Sequence, residues 1–146
     1  MLDINIIEKR MRILDEKLNI AMKWLQINNK GKSLFWHLRE QGIDKIIVYG
    51  ASEFAVRFLE EAEKENYRIL GIVDKRIISP TFFYQKIPLL SLEDLLLEKY
   101  KNEYVVITAM GYYKEIRCEL QKKGIEKVIS LREVIENNFL NKESNY

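Results

Sequence analysis

The chain has 146 residues, 47% of them hydrophobic and 32% charged, with 24 basic and 22 acidic side chains and a formal net charge of +2. That length suits one domain with a real core, and near-balanced, interspersed charge speaks against a nucleic-acid binder, whose basic residues gather on one face. No apolar run reaches the length of a membrane span, and one cysteine with one histidine exclude an intrachain disulfide and argue against a zinc site.

Residues 2–27 are expected to form one helix. Ile4, Ile7, Met11, Leu14, Leu18, Ala21 and Leu25 alternate steps of three and four, a heptad seam. Ile6, Ile13, Ile20 and Ile27 form a second stripe at every seventh residue. One stripe suits the chain's own domain and the other a partner chain. Glu8 and Asp15 flank the seam on one side, Arg10 and Lys17 on the other. A parallel pair would set Arg10 near Asp15 of the neighbour, whereas an antiparallel pair would tend to bring like charges together. Two expectations stay open for residues 1–30: an amphipathic helix packed on its own domain, or a homodimer formed through this helix. The start of the chain carries acids and no uninterrupted apolar core, so it does not read as a secretory signal. A cytoplasmic location is expected.

Residues 28–32 (NNKGK) are a polar break. Ser33 then caps a short helix whose apolar face is Leu34, Phe35 and Leu38, with Gly42 at its end. Gly31-Lys32-Ser33 has the look of the tail of a Walker phosphate loop, but the first glycine of that motif would fall at Gln26, and a helix precedes it instead of a strand. His37 is expected to be a surface or partly packed side chain and not a catalytic one.

From residue 45 strands and helices alternate. Strands are expected at 45–49 (KIIVY), 67–73 (YRILGIV), 104–109 (YVVITA) and 127–130 (KVIS), and helices at 53–66, 91–101, 112–123 and 131–138. Ser91 and Asp94 form a capping box at the start of the second of these helices. Residues 75–88, with Pro80 and Pro88, read as irregular. The short, near-continuous apolar strands fit a parallel sheet covered on both faces, with right-handed crossovers. The expected fold is α/β: an open parallel sheet of about four strands flanked by helices over residues 31–140, with a long N-terminal helical extension and a frayed tail at 141–146.

Ligands of such sheets bind beyond the carboxyl ends of the strands. Three segments fall there. The first is the turn Gly50, Ala51, Ser52, Glu53 and Phe54, which leads into a helix N-terminus suited to an anion. Gly50 permits a tight turn; Ser52 stands where a dinucleotide turn has its second glycine and Ala55 where it has the third. Glu53 brings a negative charge to the same place. The second segment is Asp74, Lys75 and Arg76. Asp74 ends its strand 24 residues after Gly50, where an acid takes the ribose hydroxyls of an adenosine, and the two cations are suited to a phosphate. The third is Met110, Gly111, Tyr112 and Tyr113. Its glycine admits close approach, and its tyrosines can stack on a ring or hydrogen-bond. The bland alternatives are a helix cap, a solvated strand-end acid and a packed tyrosine.

No Tyr-x-x-x-Lys pair, nucleophile elbow, HExxH or magnesium-type aspartate cluster is present. The expectation is a non-catalytic domain or a piece of a larger enzyme.

The order IIVYGAS, ILGIVDK, KIPLLSLEDLL, YVVITAMGYYKEI and KKGIEKVISL resembles the Rossmann-like domain at the N-terminus of bacterial sugar acetyltransferases and of membrane nucleotide-sugar dehydratases. The likeness runs from about Gly42 to Leu131 and departs at Ser52, where that family usually has glycine. The catalytic parts of those enzymes have no counterpart in this chain, so no activity carries over. The resemblance implies a nucleotide or nucleotide-sugar binding edge at Gly50, Ser52, Asp74 and residues 110–113, in surface-polysaccharide biosynthesis. Its cofactor is left open between NAD(P) and a nucleotide sugar. A ligand-free dimerisation or scaffold domain with a degenerate phosphate turn is the alternative.

Overall fold

The computed structural model describes residues 3–75 and 86–140, with only the backbone of residues 137–140. Arg76 and the tail 141–146 lie outside the described residues, as does most of the stretch expected to be irregular.

Among the described residues eleven elements follow in chain order: α1 (Ile4–Asn29), α2 (Leu34–Glu40), β1 (Lys45–Tyr49), α3 (Glu53–Lys64), β2 (Arg68–Val73), β3 (Leu89–Leu90), a 3₁₀ turn (Glu93–Leu96), β4 (Tyr104–Ile107), α4 (Tyr113–Lys122), β5 (Val128–Ser130) and α5 (Leu131–Leu140). The five strands form one sheet in the order β3-β2-β1-β4-β5, and every pairing is parallel. This is a Rossmann-like open sheet. The chain builds outward from β1 to β3 on one side, then returns to build β4 and β5 on the other. The switch point therefore lies between β1 and β4.

Alternation along the strands divides the core. Ile46, Val48, Ile72 and Val106 face one side and pack with Leu34, Phe35 and Leu38 of α2, with Ala55, Phe58, Leu59 and Ala62 of α3, and with Leu131, Val134 and Ile135 of α5. Ile47, Tyr49, Val73, Val105 and Ile107 face the other side, against Leu95 of the 3₁₀ turn, Leu120 of α4 and Ile125. Both faces are covered, as a parallel sheet requires.

The long helix lies on the first side. Ile20, Trp24 and Ile27 are buried there. Glu61 of α3 fastens the junction: one carboxylate oxygen accepts from the Trp24 indole N–H at 3.0 Å and the other from the backbone N–H of Leu34 at 2.9 Å. Lys23 meets Glu136 of α5 at 3.4 Å, and Arg132 reaches both Glu16 and Glu136.

Three expectations are corrected. A fifth strand, β3, adds to the four read from sequence; Gly71 leaves the space over β2 that the Leu90 side chain fills. The helix expected over 91–101 is only a 3₁₀ turn. Its capping box does form, with the Ser91 amide donating to Asp94 at 2.8 Å and the Asp94 amide to the Ser91 hydroxyl at 3.1 Å. Beyond it, Leu97 turns to an extended conformation, because Leu95 alone of the three consecutive leucines is buried and no continuous apolar face drives a helix. His37, finally, is buried, with its Nε2 3.0 Å from the Gln41 amide nitrogen.

Candidate functional site

The switch point is drawn together by backbone polar groups. The carbonyl of Tyr49 accepts from both the amide (2.9 Å) and the hydroxyl (3.0 Å) of Thr108, just past β4. On the other flank the Gly50 amide donates to the Val73 carbonyl at 2.7 Å. Gly50 has φ +115°, and a Cβ there would come within 2.6 Å of the Thr108 hydroxyl oxygen. A glycine is thus required both by conformation and by space. Thr108, fully buried, is the residue the sequence reading missed. Its signal was a threonine at the end of the apolar run YVVI.

The turn continues with Ala51, whose amide donates to Asp74 Oδ2 at 2.9 Å. The acid expected for a ribose therefore holds the end of β2 onto the turn after β1. Ser52 is the N-cap of α3 in extended conformation, but its side chain makes no capping hydrogen bond. The first-turn amides of α3 lack partners within the helix, as at any helix start, and its dipole favours negative charge there. Glu53 does not spoil this end outright: its carboxylate turns along the helix to Arg57 at 2.9 Å, and Arg57 also meets Glu60 at 3.1 Å.

The third segment has a different neighbour from the one expected. Gly111 has φ +84°, and a Cβ there would meet Ile13 of α1 at 2.6 Å. The close approach is by the long helix. Met110 is buried in the cluster that also holds Ile20 and Trp24 of that helix. Tyr112 is exposed, with the Lys9 ammonium 5.1 Å from its ring centre. Tyr113 accepts from Arg117 at 3.0 Å; burial, and then the charge of Glu133, push its phenol pKa up.

Gly50, Ala51, Ser52, Asp74 and the Thr108–Gly111 stretch thus share one sheet edge. Phe54 does not belong to it, because it stacks on Trp24 with centroids 6.4 Å apart. Lys75 is paired with Glu119 of α4, a bond that raises its pKa. Beside the edge lies a cleft of about 260 Å³ lined by Ala109, Met110, Gly111, Tyr113, Lys114, Ser130 and Arg132, with Glu16 from α1. That is just under the usual range of ligand pockets. Among the described residues no group of three or more His, Cys, Asp or Glu is placed to hold a metal ion, and no helix is long and apolar enough to cross a membrane.

A protein-family description, "C2185-like, N-terminal", matches residues 42–129. The chain belongs to this family. The matched span holds β1 through most of β5, and with them the Gly50 turn, Asp74, Thr108 and Gly111; α1 and α2 lie before it. No curated protein and no solved structure matches the chain. The match gives a family and no activity, so the chemistry rests on the edge itself: helix-start amides, a hydroxyl, one carboxylate and a small flanking cleft.

Proposed function

We propose that the carboxyl edge of the sheet binds a nucleotide-type small molecule, NAD(P) or a nucleotide sugar. The domain is then an accessory to, or a part of, an enzyme of surface-polysaccharide biosynthesis in the bacterial cytoplasm. The observation that carries this is the Gly50 turn at the β1/β4 switch point, opening into the start of α3 with the Ser52 hydroxyl not used as a cap. A phosphate suits those amides, the ribose suits Asp74, and the far end of the ligand suits the cleft beside Gly111 and Tyr113. The resemblance to sugar acetyltransferase and dehydratase domains supports the nucleotide-sugar class. The test is an amide NMR titration with UDP- and CMP-sugars and with NAD(H). Binding here moves the Ala51, Ser52, Glu53 and Gly111 resonances first; saturation with those resonances unmoved removes the site.

One observation favours the second reading, a ligand-free scaffold. Asp74 and the Ala51 amide already satisfy each other, so a ligand must compete with that bond. In this reading the turn is a fastening between strands.

A further inference from the structure

The long helix has two apolar stripes, and the domain uses one. From Ile13 onward the seventh-residue isoleucine stripe faces inward, with Ile13 half-buried and Ile20 and Ile27 buried, joined by Trp24, while Ile6 at its start is exposed. The heptad seam faces away. Ile4 is 70% exposed, Met11 61%, Leu14 and Leu18 63% each, and Leu25 52%. Ile7, on the same seam, and Met22 beside it are also exposed. From Ile4 to Leu25 the seam runs for about 32 Å at 1.5 Å per residue. An unbroken apolar strip of that kind on a helix face marks an interaction surface.

We propose that this seam is covered by the same seam of a second copy, in a parallel, in-register two-stranded coiled coil. With Ile4, Met11, Leu18 and Leu25 at a, the d positions are Ile7, Leu14 and Ala21, and the inward isoleucines fall at c. Positions c and f point away from the partner strand in a two-stranded coil. Most of the residues that hold the domain sit there: Ile20 and Ile27 at c; Lys9 over Tyr112, Glu16 near Arg132 and Lys23 on Glu136 at f. Trp24, bonded to Glu61, is the exception at g, in the last heptad. The two domains therefore hang on the outside of the coil and leave the seam clear.

Charge selects the direction. Arg10 and Lys17 occupy g, and Glu8 and Asp15 occupy e. In a parallel pair each g residue faces the e residue five positions on in its partner, so Arg10 meets the second copy's Asp15 twice by symmetry. In an antiparallel pair g faces g and e faces e, which sets cation against cation and acid against acid.

The test uses the full chain in a Cys118→Ser background. Light scattering at tens of micromolar should give twice the chain mass. Leu14→Glu with Leu18→Glu should give a monomer that keeps the cooperative unfolding of the sheet domain, since neither residue touches the core. Under mild oxidation Ile7→Cys and Leu25→Cys should each cross-link to their own copy. Arg10→Glu should weaken association about tenfold, as two attractive pairs become repulsive, and adding Asp15→Arg should restore it. A monomeric native chain, a trimer or tetramer, or cross-linking only when the Ile7→Cys and Leu25→Cys chains are mixed would overturn the proposal.

Discussion

The carboxylate of Asp74 accepts a hydrogen bond from the backbone amide of Ala51 at 2.9 Å. The residue proposed to take a ribose thus also sets the turn proposed to take a phosphate. Replacing Asp74 by Ala removes an acceptor from a part-buried amide, and a loss of about 1–2 kcal/mol of stability is expected. Asp74→Asn keeps an acceptor oxygen and should recover most of it. Urea unfolding of the two variants checks the difference.

Gly50→Ala should cost more. It places a side chain at φ +115° and drives its Cβ to 2.6 Å from the Thr108 hydroxyl. Backbone strain and overpacking together are worth about 2–4 kcal/mol. A fall in the urea midpoint at unchanged slope is the expected record. Equal stability would mean that the turn does not need glycine.

Gly111 and Ile13 should be coupled. A Cβ at Gly111 would press on Ile13 Cγ1 and Cδ1 at 2.6 and 2.8 Å. Ile13→Ala clears that space, so the double variant should be less destabilised than the sum of the singles by about 1 kcal/mol. Strict additivity would show that α1 does not rest on this loop.

Glu61→Ala should take the shared acceptor from two donors at once, the Trp24 indole and the Leu34 amide. A loss of about 2–4 kcal/mol is expected, with Trp24 emission moving to the red in a Trp36→Phe background. Glu61→Gln satisfies one of the two and should fall between.

His37 gives a pH dependence. Burial holds its imidazole below the ordinary value of 6.5, against a smaller opposing pull from Glu40. The unfolded chain then takes up a proton at higher pH than the folded one. The stability that neutral His37 contributes is complete above about pH 6.5 and falls as the pH drops toward the folded-state pKa. Thermal unfolding between pH 8 and 5 should show that decline, and His37→Gln should flatten it.

The parallel sheet was legible because its strands are short, nearly unbroken apolar runs, each followed by a helix-period segment. The two stripes of α1 were legible for a similar reason, since seven-residue spacing survives whatever packs on it. The two leucines of β3 carry no period and find their place only through Gly71 and the edge of β2. The leucines after Ser91 promised a helix from composition, yet Leu95 is buried and Leu92 half-buried against the core while Leu96 and Leu97 are exposed. The site divides the same way. The position of Asp74 follows from strand end and spacing. Its bond to Ala51, the grip of Thr108 on Tyr49 and the contact of Ile13 with Gly111 depend on how three distant segments meet, which no local pattern encodes.

The central claim is a nucleotide-type ligand at the Gly50–Asp74 edge. The most direct test is a thermal-shift panel on the native chain and on Asp74→Ala, with NAD(H), NADP(H), UDP- and CMP-sugars and their parent nucleotides at millimolar concentration. A ligand at one hundred times its dissociation constant adds about 2.7 kcal/mol. The expected result is one ligand class that raises the melting temperature of the native chain by several degrees and fails to raise that of Asp74→Ala. No shift with any of these ligands, or an equal shift in both proteins, would contradict it.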